Sequence, residues 1–150
     1  MTKISTRQLE IIDAAGKLLT NNGNNKLTIK NLALEMGFTE SALYRHFKSK
    51  EEIIIEMLTL IKDSLIAVYS LNKSKDESAE VELKALLLAR LQYFNEHPHF
   101  IIAVFSEGLM GQSENINTAV NKLMAITSAH IKPVLLKGQE NNEFRSDLSI

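Results

Sequence analysis

Residues 27–47 contain the same helix-entry pattern twice, with one glycine, Gly37, between the two copies. An apolar residue, then Thr, then Leu four residues after the Thr occurs at 27–32 and again at 38–43. Thr in such a position caps a helix, and the apolar residues on either side pack together. Gly37 lies between the two patterns, where the first helix must end and turn, because glycine adopts positive φ at little cost. Two capped helices around a short turn predict a helix-turn-helix.

The second helix of this pair has two chemically different faces. On a 3.6-residue period the inward face carries Ala42, Leu43 and Phe47, and the outward face carries Glu40, Ser41, Tyr44, Arg45 and Lys48. Hydroxyls and cations of this kind donate hydrogen bonds to phosphates and base edges. A helix of about two turns is marginal alone. We therefore expect neighbouring helices to hold it so that its outer face reads DNA.

The rest of the chain predicts an all-α fold. The chain as a whole has two Pro, six Gly and few β-branched alternations. Helices are expected at about 6–22, 29–36, 40–47, 49–70, 77–96, 98–107 and 114–138. Ser5 with Gln8 and Ser49 with Glu52 form capping boxes, and Pro133 is expected to kink the last helix. In the first helix the buried stripe is predicted to consist of Leu9, Ile12, Ala15 and Leu19.

Composition excludes several classes of function. The chain has no Cys, and therefore neither disulfides nor thiolate metal sites. No apolar run approaches the roughly 18–20 residues of a membrane span. Residues 1–50 carry eight Lys and Arg against four Asp and Glu, a net +4, whereas residues 51–150 carry nine against fourteen, a net −5. A basic head on an acidic body is typical of a protein whose head binds DNA.

The run TIKNLALEMGFTESALYRHFKSKEEI, preceded by an amphipathic helix ending in NNG, resembles the DNA-binding domain of the TetR family of transcriptional repressors. The resemblance covers about residues 5–60. It implies a helix-turn-helix head at 1–48, joined by a long helix to a helical effector-binding and dimerisation body at 49–150. Segment 138–148 resembles the stretch before the family's last two helices, so we expect a body that is incomplete at its C-terminus.

By this resemblance the protein is a cytoplasmic DNA-binding transcriptional regulator. It implies a repressor that binds a palindromic operator in double-stranded DNA as a homodimer and is released by a small-molecule effector, with no cofactor, metal or membrane. The alternative is a helical adaptor that binds a protein and uses the helix-turn-helix for packing only. The polar outer face at 40–48 argues against that alternative, because the centre of a protein interface is more apolar.

The residues predicted to contact DNA are Thr28, Lys30, Thr39, Glu40, Ser41, Tyr44, Arg45, His46 and Lys50. Tyr44 and Lys50 are expected on phosphates; their alternatives are a half-buried core tyrosine and a solvated lysine. Arg45 is expected to pair with guanine, or else with phosphate, Glu40 or Glu51.

Two more of these residues, Glu40 and His46, also have competing interpretations. Glu40 favours its helix dipole, with acceptance from cytosine as the alternative. His46 either donates to a phosphate or wedges the turn against the first helix. Thr28 combines capping with phosphate contact.

Few residues of the body suggest a ligand-binding, metal-binding or catalytic role. By analogy with the family, Phe94, Phe105, Met110 and Met124 are candidates to line an effector cavity, with plain packing as the alternative. His97 and His99 lie only two residues apart without a third ligand close in sequence, which favours a structural role over metal binding. No phosphate loop, nucleophile–base pattern or helical HExxH motif supports an enzyme.

Overall fold

The computed structural model describes residues 4–20, 27–72, 78–105 and 113–150, apart from the side chains of 102–105. Within these ranges there are seven helices and no strand, so the all-α prediction is confirmed. The helices are α1 Thr6–Thr20, α2 Ile29–Met36, α3 Glu40–Tyr44, α4 Lys50–Leu71, α5 Ala79–Glu96, α6 Pro98–Phe105 and α7 Glu114–Glu140.

The helix ends agree closely with the sequence prediction, with one clear exception. Helix α2 has the predicted bounds, whereas α3 ends at Tyr44 instead of 47. Pro133 lies inside α7 without ending it. The predicted end of the first helix at 21–22 and the predicted break at 108–112 lie outside the described residues.

Contacts between residues divide the chain into two compact units. The first consists of Met1–Leu60 with Pro98–Val120, and the second of Ile61–His97 with Asn121–Ile150. The first unit therefore contains α6 and the start of α7 as well as the helix-turn-helix. The division of the chain into a DNA-binding domain at 1–48 and an effector-binding body at 49–150 stays a prediction.

In the first unit, α6 packs closely against α1 at Gly16. A Cβ built on Gly16 would lie 2.5 Å from Cδ2 of His99, so the histidine ring occupies the space of a missing side chain. His99 Nε2 also lies 3.1 Å from Asp13 Oδ1. The ring stacks edge-on with Phe100 at 4.3 Å. His99 thus has a packing role.

The face of α1 that packs against its neighbours α6 and α2 differs in part from the predicted stripe. Ile12 and Ala15 are buried as expected, but Leu9 is 41% exposed. The buried residues of α1 are Ile11, Ile12, Ala15, Gly16 and Leu18. A helix that packs against neighbours on two sides buries a wider face than a single stripe.

In the second unit, the turn after α7 reaches the start of α5. Glu143 accepts a hydrogen bond from the backbone N–H of Glu80 at 3.1 Å, beside the Ser78 cap of α5. This backbone donor is the main reason why the pKa of Glu143 lies below its ordinary value. Lys137 lies 3.0 Å from the carboxylate of buried Glu82. The carboxylate at a helix N-terminus is favoured by the helix dipole.

Replacing Glu143 with Gln is expected to reduce the loss of stability on acidification. A carboxylate whose pKa is lowered by folding adds stability above its unfolded pKa and loses it as pH falls through the folded pKa. The wild-type protein should therefore lose more stability than the variant when the pH falls below about 4.5. Thermal unfolding at several pH values measures this difference. Glu140→Gln is the matched control, and equal acid sensitivity of the wild-type and Glu143→Gln proteins would contradict the assignment.

Candidate nucleic-acid interface

The helix-turn-helix is built from the local signals that the sequence contains. Thr28 Oγ1 accepts from the N–H of Asn31 at 3.1 Å, and Thr39 Oγ1 accepts from the N–H of Ala42 at 3.2 Å. Gly37 has φ +66°, and the N–H of Phe38 donates to the carbonyl of Ala33 at 2.8 Å. That combination ends a helix and redirects the chain within three residues. The predicted caps and the predicted turn are confirmed.

Helix α3 presents its polar side chains on the outside of the first unit. Leu43 is 1% exposed and Phe47 is buried, so the inward face anchors the segment. Tyr44 is 51% exposed, and Arg45 is also exposed. The other residues predicted to contact DNA on this surface are also exposed: Thr28, Lys30, Thr39, Glu40 and Ser41. These side chains can meet a partner surface without any rearrangement of the core.

The exposed guanidinium of Arg45 is not neutralised by any residue that the structure describes. Arg45 forms no ion pair with any residue in the described ranges, so its predicted alternatives with Glu40 or Glu51 are not formed. Glu40 occupies the first turn of α3, where its charge favours the helix dipole. Arg45 is therefore available for a phosphate or a base edge.

Helix α3 is shorter than predicted because two successive backbone N–H groups after it share the carbonyl of Leu43 as their acceptor. The N–H groups of His46 and Phe47 both donate to the carbonyl of Leu43, at 2.9 and 3.1 Å. The carbonyl of His46 is then available to Gln8 Nε2, at 3.3 Å. The half-buried His46 thus lies in a turn that is tied to α1, and a contact of its ring with phosphate stays a prediction.

Gln8 was predicted only as a capping residue, and its role is larger. Its Oε1 accepts from the N–H of Ser5 at 3.0 Å, which completes the predicted capping box. Its Nε2 donates to the carbonyl of His46, 38 residues further along the chain. The Arg7 guanidinium lies 5.3 Å from the ring centre of Phe38, which precedes the Thr39 cap. No local sequence signal predicts either link from α1 to the helix-turn-helix.

Replacing Gln8 with Glu is expected to separate these two roles. A carboxylate still accepts from the N–H of Ser5 but cannot donate to the carbonyl of His46. The first unit should lose about 1 kcal/mol of stability, and DNA affinity should fall several-fold because the turn after Tyr44 loosens. Urea unfolding and a DNA titration measure both effects. Gln8→Ala, which removes both bonds, sets the maximum loss; a Gln8→Glu protein equal to wild type would contradict the role of the amide donor.

Helix α4 begins next to α3 and contributes Lys50. Ser49 Oγ accepts from the N–H of Glu52 at 3.1 Å, as the predicted capping box requires. The Glu52 carboxylate, however, accepts from the N–H of Lys48 instead of that of Ser49. Lys50 is the first residue of the helix and is partly exposed. An ammonium beside free N–H groups at a helix start suits a phosphate oxygen.

Of the four residues predicted to line an effector cavity, the structure describes the side chains of Phe94 and Met124. Phe94 is buried, and Cζ of Arg90 lies 5.9 Å from the centre of its ring, whereas Met124 is 38% exposed. The side chain of Phe105 and all of Met110 lie outside the description. A groove of about 430 Å³ in the second unit has neither Phe94 nor Met124 in its described lining. It is lined by Val68, Leu71, Asn72, Ala85, Leu88, Ala89, Gln92, Tyr93 and Glu96.

His97 and His99 occupy packing positions. His97 follows α5, donates its N–H to the carbonyl of Tyr93 at 3.1 Å and contacts the ring of Tyr93 at 5.0 Å. His99 packs over Gly16 as described above. No group of three potential metal ligands occurs among the residues that the structure describes.

Comparison with known proteins bears on the resemblance to the TetR family. Residues 11–57 match the family model described as bacterial regulatory proteins, tetR family. The TetR-family regulator PfmR from Thermus thermophilus superposes with a TM-score of 0.81 at 27% identity, over 95% of this chain and 76% of that one. The resemblance of this chain to the TetR family is therefore confirmed.

Two further similarities bear on this chain. The nucleoid occlusion factor SlmA of Sodalis glossinidius is 28% identical over 147 residues, which cover 96% of this chain and 74% of that protein. The ketosteroid transcriptional regulator KstR2 of Mycobacterium tuberculosis has the same fold, with a TM-score of 0.82 at 24% identity over 98% of this chain and 75% of its own.

These matches identify the helix-turn-helix as one that resembles those of DNA-binding regulators. The family and the fold are those of transcriptional regulators. Among the described helices, none is long and apolar enough to cross a membrane.

Proposed function

We propose that the protein is a transcriptional repressor that binds a palindromic operator as a homodimer and is released by a small-molecule effector. The observation that carries the proposal is the exposed face of α3, on which Tyr44 and Arg45 project from a capped and well-packed base. A major groove about 12 Å wide admits such a helix. Two heads about 34–36 Å apart would read the two halves of the operator.

Each predicted contact has a defined task in this proposal. Tyr44, Lys50, Thr28 and Lys30 bind phosphates and set the register on the duplex, without sequence preference. Arg45, Ser41 and Thr39 read base edges, and Arg45 suits the N7 and O6 acceptors of guanine. Glu40 mainly favours its helix start. An effector lowers operator affinity to the extent that it binds better to a state with wrongly spaced heads.

Selection of bound duplexes from a random pool tests the proposal directly. The wild-type protein should enrich a sequence with two-fold symmetry, and the mass of the complex should correspond to two chains per duplex. Affinity for that duplex should fall linearly on a plot of log K against log salt concentration. An enriched sequence without symmetry would contradict the palindrome, and salt-independent binding would favour the protein-binding adaptor.

A second candidate function keeps DNA binding but not the control of transcription. It is favoured by the relatives named nucleoid occlusion factor SlmA, such as that of Shewanella halifaxensis at 26% identity over 133 residues. The two functions predict different effects when the gene for this protein is deleted. Loss of a repressor raises transcripts beside the selected sites, whereas loss of a nucleoid occlusion factor alters where cells divide relative to their DNA.

A further inference from the structure

Glu51, the second residue of α4, links the start of that helix to the start of α7. Its Oε1 accepts from Ser113 Oγ at 2.7 Å and from Asn115 Nδ2 at 3.0 Å. Ser113 Oγ in turn accepts from the N–H of Ile116 at 3.2 Å, so it caps α7. The carboxylate therefore lies at two helix starts, and both helix dipoles favour its negative charge.

The hydrogen bonds favour the ionised form of Glu51. Those from Ser113 and then Asn115 lower the pKa of its carboxyl below the ordinary value. At neutral pH the group is a carboxylate, which would repel DNA phosphates if it faced them. Its hydrogen bonds from Ser113 and Asn115 hold the carboxylate at the start of α7. The neighbouring Lys50 ammonium remains available to phosphate.

The first turn of α4 is held from two directions. Glu52 accepts from the N–H of Lys48 and so closes the turn onto the chain that leaves α3. Glu51 ties the same turn to α7, whose bonding residues lie 62 and 64 positions further along the sequence. Removing Glu51 would leave the capping of α4 intact and would free its first turn from α7.

Helices α4 and α7 also contact each other further along. In the second unit the ring of Tyr69 from α4 stacks on His130 from α7, with centroids 4.9 Å apart and planes at 29°. Tyr69 is fully buried. Both helices continue without interruption between these contacts and the Glu51 bonds. Because Glu51 and Tyr69 belong to the same helix, a displacement of α4 at the Tyr69–His130 contact can be transmitted along α4 to Glu51.

We propose that Glu51 is a positioning residue for operator binding: by bonding Ser113 and Asn115 it sets the first turn of α4, and with it Lys50, in the register that phosphate requires. DNA affinity thereby depends on where α7 begins, which gives α7 a regulatory role. The inference rests on the proposed function, because it requires Lys50 to contact the operator.

The test measures the affinity of the full chain for a duplex selected by the wild-type protein. Glu51→Ala should lower affinity about ten-fold, the size of effect expected when a charged hydrogen-bond acceptor is removed. Glu51→Gln, whose amide oxygen still accepts from Asn115, should stay within about three-fold of wild type. Glu56→Ala, further along α4, is the matched control and should bind as the wild type does.

A double-mutant cycle separates positioning from general loss of stability. Asn115→Ala should lower affinity in the wild-type background and have little further effect in Glu51→Ala, because both changes remove the same bond. Circular dichroism confirms that each variant is folded at the assay temperature.

The outcomes distinguish this inference from the proposed function. Wild-type protein that selects no duplex would overturn both. Selection by the wild type combined with equal affinities of Glu51→Ala and Glu56→Ala, or additive losses for Glu51→Ala and Asn115→Ala, would overturn the positioning role alone. Equal losses for Glu51→Ala and Glu51→Gln would overturn its hydrogen-bond basis.

Discussion

Replacing Tyr44 with Phe and Lys50 with Ala together is expected to weaken binding to every duplex by a similar factor, about 10- to 100-fold at moderate salt. Both side chains are placed to donate to phosphates, and phosphates are the same in every sequence. Tyr44→Phe keeps the ring and removes only the hydroxyl of this exposed residue. Lys50→Ala removes one cation, which should reduce the slope of log K against log salt by about 1.

Arg45→Ala is expected to act differently from the phosphate variants. It should cost about 1–3 kcal/mol on the selected duplex and relax the preference at one base pair. The reason is that Arg45 is exposed and forms no ion pair within the described part of the chain, so its fork of donors is available to a guanine edge. Gel shifts with a set of operator variants, each changed at one base pair, measure both the loss and its position.

Lys84→Ala is the matched control for these charge changes. Lys84 is an exposed residue of α5 in the second unit, so its loss alters net charge equally without altering the predicted interface. It should leave affinity and salt slope nearly unchanged. Phosphate variants that bind like Lys84→Ala would contradict the assigned interface, and an Arg45→Ala protein that loses affinity equally for all operator variants would assign Arg45 to phosphate.

The elements that sequence predicted correctly are those fixed by neighbours in the chain. Thr28 and Thr39 cap helices by bonding amides three residues ahead, and Gly37 turns the chain through its own φ. Such signals lie within one turn of helix and need no knowledge of tertiary structure. The bounds of α2 and the start of α3 followed directly from them.

The contacts that sequence missed join residues far apart in the chain. Gln8 bonds the carbonyl of His46, Glu51 bonds Ser113, and Glu143 bonds the N–H of Glu80. A polar side chain near a helix start looks the same in sequence whether it bonds its own helix or another. The face of α1 was misjudged for a related reason, because its contact with α6 depends on His99 filling the space above Gly16.

The candidate site was only partly predictable. The outward face of α3 followed from helical periodicity, since Leu43 and Phe47 had to be buried. The effector residues had no such constraint, because apolar side chains such as Phe94 and Met124 line cavities and fill cores equally well. Which operator and which effector the protein binds depends on partner chemistry that helix-forming patterns do not encode.

Leu43→Ala is expected to destabilise the first unit by about 2–5 kcal/mol and to abolish measurable operator binding. Leu43 is 1% exposed and is the one residue of the five-residue α3 that is buried. A helix this short has little stability of its own. The position of α3 depends on the packing of Leu43, and of Phe47 just after the helix, into the core of the first unit. Truncating Leu43 removes that contact and leaves a cavity, so Tyr44 and Arg45 lose their fixed placement.

Leu34→Ala provides a matched control, since it makes the same chemical change in the neighbouring helix α2. Leu34 is 71% exposed, so truncation removes little buried apolar area and should change stability by no more than about 0.5 kcal/mol. Urea unfolding with an unchanged slope compares the two variants, and amide exchange localises the loss to α3. If Leu43→Ala were no more destabilising than Leu34→Ala, packing could not be what holds α3, and the exposed face of Tyr44 and Arg45 would have no rigid support for reading DNA.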